Sequence, residues 1–280
     1  MQGWEPPPRP RGLTVAVPLS YGETEHSLLL RTLKWGILGR LLGVYRASRV
    51  ILYPVRGEPV PGPHRRLARL VLRYLVTAPY LRRLVYPRTS LLRYAGALPP
   101  LQLPTHGVGG PKLGECRQAL VLANRGGVLE LEAGLGRRVA VRGRGKPGDI
   151  VLVEVSGLEP LRVGLGCSRP VYNGYQVLVR ESLRGVLEGG FGDVVIATSR
   201  LGEAFSHERA AGLLSRARRG VVTVFGSPWR GLHEIARAEG FALEDAVDAV
   251  WNTVPRQGTL TVRVEEAVAA TLALVNLYLE

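Results

Sequence analysis

The chain has 280 residues, 46% of them apolar and 21% charged, with a formal net charge of +14. That length can bury a sizeable core, in one large domain or two modest ones, and the apolar fraction is ordinary for a globular protein. The charge is not ordinary: it points to a polyanionic partner, because Lys and Arg that neutralise phosphates release counterions. Two cysteines, Cys116 and Cys167, are too few for a disulfide framework or a zinc site, and they either pair with each other or remain buried thiols. The histidines at 26, 64, 106, 207 and 233 show no metal-ligand spacing, so no metal is expected.

Nearly all the positive charge is Arg, with Lys only at 34, 112 and 146. The planar guanidinium fork suits phosphate, although a genome-wide base bias gives the same excess. Sparse Met, Cys and Asn beside abundant Pro suit a thermophile.

The lead-in MQGWEPPPRPRG is Pro-rich and lacks the charged-then-apolar order of a signal peptide. Leu13–Leu19 reads as a buried strand, SYGETEH as a helix start, Ser27–Val44 as an apolar helix and Ser48–Val55 as a second buried strand. Arg31, Lys34, Gly36, Gly39 and Arg40 interrupt the helix, which falls short of the roughly 20 apolar residues that span a bilayer. A cytoplasmic protein is expected. Continuous apolar strands separated by helices argue for an α/β fold with a parallel sheet covered on both faces.

From Pro59 to Gly114 there is no Asp or Glu, against eight Arg and one Lys. Arg65, Arg66, Arg69 and Arg73 fall on one side of a helix, with Leu67, Leu70, Val71, Tyr74 and Leu75 on the other. Arg82, Arg83, Arg88 and Arg93 continue the run, interleaved with Tyr80, Tyr86 and Tyr94. Like charges at this density repel one another unless an anion joins them, so these arginines read as a phosphate-binding face rather than a solvated one.

Cys116 to Gly166 changes period. RQALVLAN, GVLELE, RRVAVRG and DIVLVEV are short, partly alternating runs split by Gly-rich turns, the pattern of a small antiparallel β-barrel of oligonucleotide-binding type. Within it VLELEAGLGRR (Val128–Arg138) mimics the glycine motif of Rossmann-type methyltransferases, with Glu154 near the ribose-binding distance. That fold needs a crossover helix, and Gly143, Gly145, Pro147 and Gly148 forbid one here. The motif is set aside.

The last third returns to α/β: strand Tyr175–Val179, helix Glu181–Glu188, strand Val194–Thr198, helix Ser206–Ala217, strand Val221–Phe225, helix Leu232–Ala238, strand Ala246–Trp251 and a terminal helix. The expected organisation is therefore residues 1–104 as the first part of an α/β domain (its basic segment 59–104), 105–166 as the inserted barrel, and 167–280 as the second part. Ligands bind outside the carboxyl ends of the strands of such sheets. There the chain offers Thr198, Ser199 and Arg200, then Phe225, Gly226, Ser227 and Pro228, then Asn252, Thr253, Val254, Pro255, Arg256, Gln257 and Gly258. Gly226 and Gly258 allow close approach and positive φ, and the prolines set the loop shapes.

VFGSPWRGLHEI followed by NTVPRQGTLTVRVEEAVAATLALVN resembles the carboxyl-terminal signature of the SPOUT, or trefoil-knot, RNA methyltransferases. Within that class the chain is similar to the archaeal and eukaryotic branch with a β-barrel inserted in the methylase domain, and PRTSLLRYAGALPPLQLPTH lends weaker support. The resemblance implies a knotted carboxyl-terminal segment, S-adenosylmethionine held by the three loops, a homodimer packed through the apolar terminal helix, and RNA as substrate, ribosomal or otherwise structured. It puts Thr198–Arg200, Phe225–Pro228, Asn252–Val254, Pro255, Gln257 and Gly258 at the cofactor. Arg256 can meet RNA phosphate or the methionine carboxylate, or stay solvated. Thr261 is expected to cap the terminal helix. Glu23, His26 and Glu203 follow strand ends, yet none is assigned as a base. A non-catalytic RNA-binding or ribosome-assembly factor keeping the fold is the alternative.

Overall fold

The computed structural model describes residues 5–279, so the first four residues of the Pro-rich lead-in lie outside it. In chain order the elements begin with β1 (Gly12–Pro18), α1 (Leu28–Val44), β2 (Arg49–Tyr53), α2 (Gly62–Val76) and α3 (Arg82–Val85). Five strands follow: β3 (Cys116–Arg125), β4 (Val128–Glu132), β5 (Val139–Arg142), β6 (Ile150–Leu158) and β7 (Leu161–Leu165). The chain continues with β8 (Gln176–Val179), α4 (Leu183–Leu187), β9 (Val194–Ala204) and α5 (His207–Leu214). It ends with β10 (Gly220–Val224), α6 (Leu232–Ala238), β11 (Ala249–Asn252) and α7 (Val264–Asn276).

These elements form two compact units. One comprises Arg9–Arg73, Ser90–Pro99 and the chain from Gly174 onward. Its six-stranded sheet has the order β11-β9-β10-β1-β2-β8, and every pair is parallel. The uninterrupted apolar runs of β1 and β10 are buried along their length, as strands covered on both faces must be. Ala16, Ile51, Val222 and Val224 pack with Leu183 and Val186 of α4 and Leu232 and Ile235 of α6. Each such side chain contributes about 1.5–3 kcal/mol on full burial. Ser27 caps α1, its Oγ accepting from the Leu30 N–H at 3.1 Å.

Three sequence expectations need correction here. β9 continues to Ala204 instead of ending at Thr198. Ala197 pairs with Val250 of β11, and pairing then resumes at Glu203 with Trp251, so Thr198–Gly202 bulge out of the ladder. Thr198, Ser199 and Arg200 thus lie inside a broken strand, not in a loop after it. β11 begins at Ala249 rather than Ala246, which closes a 3-10 turn over Glu244–Ala246. Finally, the residue before α7 is Arg263, not Thr261: the Glu266 carboxylate accepts from the Arg263 backbone N–H at 2.8 Å, so Glu266 does the capping from inside the helix.

The other unit comprises the segment ending at Pro8, Tyr74–Thr89 and Pro100–Asn173. Its five antiparallel strands run in the order β5-β4-β3-β6-β7. The two edges come together where Gly143, just past β5, faces Leu165 of β7; a Cβ on Gly143 would meet the leucine Cδ2 at 2.6 Å. The sheet is therefore a nearly closed barrel around Val121, Leu129, Leu131, Val153 and Val155. The Val128–Arg138 glycine motif forms β4 and the turn into β5, with Leu129 opposite Val141, and no helix intervenes.

Cys116, the first residue of β3, is bonded to Cys167, just past β7, with Cα atoms 5.8 Å apart at a sequence separation of 51. The bond closes the whole barrel segment into a ring. Reducing it, or replacing Cys116 by Ser, is expected to destabilise this unit by about 2–4 kcal/mol. Urea unfolding with and without reductant, followed by tyrosine fluorescence, checks this.

Candidate functional site

The strand order of the parallel sheet reverses beside β1: the chain builds outward through β2 and β8 on one side and through β10, β9 and β11 on the other. Such a reversal leaves a crevice at the carboxyl ends. A cavity of about 700 Å³ lies there. Of the loop residues expected to bind a cofactor, Thr198, Ser199, Arg200, Phe225, Gly226, Ser227, Pro228, Asn252, Thr253, Val254 and Gln257 line it together. Pro255, Arg256 and Gly258 do not.

Hydrogen bonds shape each loop. Glu58 accepts from the hydroxyls of Ser20 and Ser227, each at 2.6 Å. Ser227 Oγ in turn accepts from the N–H groups of Trp229 (3.2 Å) and Arg230 (2.9 Å), folding residues 227–230 into a tight turn. Thr198 Oγ1 donates to the Val224 carbonyl at 3.0 Å. Asn252 donates to the Arg200 carbonyl at 3.2 Å and accepts from the Val254 N–H at 3.1 Å, joining the β9 bulge to the last loop. Gln257 Nε2 donates to the carbonyls of Thr259 and Leu260 at 2.9 and 3.0 Å. His233 Nε2 lies 2.9 Å from Glu244 and Nδ1 lies 3.4 Å from Ser199 Oγ. With the ring neutral, the carboxylate fixes the proton on Nε2 and leaves Nδ1 to accept from the serine.

Two glycines are held by backbone contact. A Cβ on Gly226 would lie 2.9 Å from the Arg230 carbonyl oxygen, and one on Gly202 would lie 2.6 Å from that of Val250. Gly258 is different: nothing lies within 4 Å, and its φ is not positive. The left-handed residue of that loop is Arg256, at φ 55°. The expectation that Gly226 and Gly258 supply positive φ is therefore wrong at both positions, although Gly226 does meet the close approach expected of it.

Sequence reasoning missed the wall formed by Thr24, Glu25 and Lys34 with Val262–Val264 and Ala267. Lys34 is a buried cation on α1, its side chain 9% exposed. Its ammonium donates to Thr24 Oγ1 at 2.7 Å and Glu25 Oε1 at 3.2 Å, with Glu265 Oε1 at 3.8 Å. Burial alone would raise the Glu25 carboxyl, but the Lys34 hydrogen bond and charge outweigh it and hold the group below the usual carboxylate range. Tyr21 packs edge-on against Trp35 and donates to the Lys34 carbonyl at 3.0 Å; burial, then the Glu265 charge, push its phenol well above its ordinary value. A signal was present: a lysine inside an otherwise apolar helix cannot be buried without partners.

The arginines divide. Arg65, Arg66, Arg69 and Arg73 of α2 are exposed, with Leu67, Val71 and Leu75 buried opposite. In the barrel unit, Arg83 and Arg88 are exposed, whereas Arg82 is half-buried over the Tyr74 ring and donates to the carbonyls of Thr77 and Leu75 at 3.0 and 3.4 Å. Arg82 is thus committed to its own unit. So are Tyr80, bonded to the Gln118 carbonyl at 2.8 Å, and Tyr86, bonded to Thr77 at 3.0 Å.

An open parallel sheet with a polar-and-apolar cavity at its strand ends defines an α/β ligand-binding domain, here carrying a barrel. The chain belongs to the family described as "Putative RNA methyltransferase", which matches residues 12–275, and it is an RNA methyltransferase. An uncharacterised protein of Halobacterium salinarum is 34% identical to it, over 94% of this chain and 98% of the other. The human 28S rRNA (uridine-N(3))-methyltransferase is 29% identical, over 95% of this chain and 78% of its own, and the Drosophila melanogaster enzyme of the same name is 28% identical over 95% and 62%. Among solved structures, the SpoU methyltransferase AviRb from Streptomyces viridochromogenes aligns over 97% of this chain and 60% of its own at 10% identity, with a TM-score of 0.38, a likeness too slight to argue from.

The glycine contacts give a graded expectation. Gly202→Ala and Gly226→Ala each force backbone apart and should destabilise the sheet unit by about 1–3 kcal/mol, while Gly258→Ala should stay within about 0.5 kcal/mol of the parent. Urea denaturation of the three variants, followed by tryptophan fluorescence, provides the comparison.

Proposed function

We propose that the chain transfers a methyl group from S-adenosylmethionine to N3 of a uridine in ribosomal RNA, and that it works as a homodimer. The observation that carries this is the cavity shared by three strand-end loops, in a chain similar over 95% of its length to enzymes whose names state that reaction. The cavity suits the donor. Its volume falls within the ~300–1,000 Å³ of small-ligand sites, and it offers an apolar wall of Trp251, Val254 and Val262 beside the polar groups of Thr198, Ser199, Asn252 and Gln257. Backbone groups of Gly226–Pro228 and of the Asn252–Gln257 loop would hold the adenine and ribose, with Glu234 placed to accept from hydroxyls or an ammonium.

When bound, the donor supplies a methyl carbon activated by a positive sulfur, open to in-line displacement. The loops contribute orientation, which accounts for much of the acceleration in such a step. The exposed arginine face of α2 (Arg65, Arg66, Arg69 and Arg73) supplies phosphate contacts, and Arg83 and Arg88 with the barrel supply a further surface for structured RNA.

The dimer rests on apolar surface. On the outer side of α1, Leu30, Ile37 and Val44 are 46%, 46% and 59% exposed, with Arg40 exposed among them. α7, which packs against α1, leaves Leu277 63% exposed. Large apolar side chains exposed together on adjoining helices call for a covering partner.

Calorimetric titration should show S-adenosylmethionine binding at one site per chain, lost in Gly226→Val; absence of binding to the parent protein overturns the donor assignment. Mass spectrometry of ribosomal RNA from cells with and without the protein should show N3-methyluridine only in the first. In light scattering the parent should have twice the chain mass and the Ile37→Glu/Leu277→Glu variant the mass of one chain. A monomeric parent removes the dimer.

A further inference from the structure

We propose that Lys34 is a catalytic residue: its ammonium donates a hydrogen bond to a carbonyl oxygen flanking the nitrogen that is methylated, and stabilises the negative charge that collects there. This rests on the uridine-N3 reading above. The imide nitrogen of uracil carries a proton and sits between two carbonyls. The proton passes to water, and its charge spreads onto the two flanking oxygens. The N3 electron pair then forms the N–CH3 bond as the S–CH3 bond breaks, the sulfur keeping the pair. A fixed cation at one of those oxygens is the group this sequence needs, since it acts where charge develops.

The geometry points to Lys34 on three counts. Its side chain is nine-tenths buried, yet it lines the cavity. Two of its three N–H groups are taken, by Thr24 at 2.7 Å and Glu25 at 3.2 Å, whereas Glu265 at 3.8 Å lies beyond hydrogen-bond reach, so one donor is left over. The neighbouring charges then select the ligand. Glu25 and the largely buried Glu265, one of whose oxygens has no hydrogen-bond partner, lie 3.2 and 3.8 Å from the ammonium, Arg263 stands near Glu25, and the ring of Tyr21 lies 5.0 Å from Nζ. Counted together, Lys34, Arg263, Glu25 and Glu265 carry no net charge. Glu25 and Glu265 offset the charge of Lys34 and Arg263, and Arg200 and Arg230 elsewhere on the cavity wall offer the donor's carboxylate a cation, so the one spare N–H of Lys34 suits a neutral carbonyl that turns anionic only during reaction. Arg31 Nε lies 4.0 Å from Glu23, without a hydrogen bond, and His64 Nδ1 lies 2.9 Å from the same carboxylate.

The test uses the full-length protein with ribosomal RNA from cells lacking it. Lys34→Met should lower kcat/KM by about 10²–10³-fold with donor affinity close to the parent and a lower melting temperature, because Glu25 and Glu265 lose their partner. Its pH–rate profile should move to the alkaline side, because the base must then lose its proton unaided. If Lys34→Met unfolds, Lys34→Met/Glu265→Gln removes the stranded carboxylate and serves in its place. Independently of turnover, a transcript of the target region carrying 5-fluorouridine, bound without donor, should show its ¹⁹F resonance titrating at lower pH on the parent than on the variant. An unchanged pH profile and ¹⁹F titration, or a loss explained wholly by weaker donor binding, overturns the assignment of Lys34 alone. Methylation of an atom other than uridine N3 by the parent protein overturns the reading on which it stands.

Discussion

Gly202 presses against the backbone of Val250 and Trp251, and much of the site follows from that contact. A fully paired parallel sheet has no room for a ligand between its strands. β9 makes room by abandoning β11 for five residues, Thr198–Gly202, then returning to it at Glu203. The return demands a residue without a side chain where the two backbones meet. The bulge turns Ser199 and Arg200 into the cavity, gives Asn252 a carbonyl to hold, and brings the last loop alongside. Glu58 does a comparable task on the opposite side, tying the end of β1 to the loop after β10 through two serine hydroxyls.

How far the sequence could be read depended on range. Strands of unbroken Val, Ile and Leu announced a covered parallel sheet, and alternating runs between Gly-rich turns announced the barrel. Both signals are local. The Ser27–Val44 helix, and the helix Leu232–Ala238, were legible for the same reason, although Ser27 stands as the cap before the helix and not within it. What could not be seen was non-local. The extension of β9 depends on β11, 50 residues on. Lys34 appeared only as an interruption of an apolar helix, because its partners Glu25 and Glu265 are separated by most of the chain. Gly258 misled for the opposite reason: a glycine in a turn suggests positive φ, yet Arg256 takes that conformation. Arg82 shows the limit of charge counting, since a guanidinium over Tyr74 is already spoken for.

The two units use charge in different ways. On α2 the arginines sit outside a buried leucine and valine stripe, so the apolar root holds the helix while the guanidinium side chains stay exposed. Inside the barrel unit Arg117 is almost wholly buried, paired with Glu115 at 2.9 Å and donating to the Gly134 carbonyl at 2.9 Å. Net charge is thus a poor guide to which cations meet a polyanion; burial decides.

The ring closed by Cys116 and Cys167 also bears on how such a chain can arise. An inserted segment normally burdens its host with loop-closure entropy, which grows with its length. Here the two ends of the barrel strands are pinned 5.8 Å apart by the segment itself, a gap that one or two residues of backbone span. To the rest of the polypeptide the barrel is no longer than a tight turn. A module of that kind can be gained, exchanged or lost between related enzymes while the host chain keeps its path.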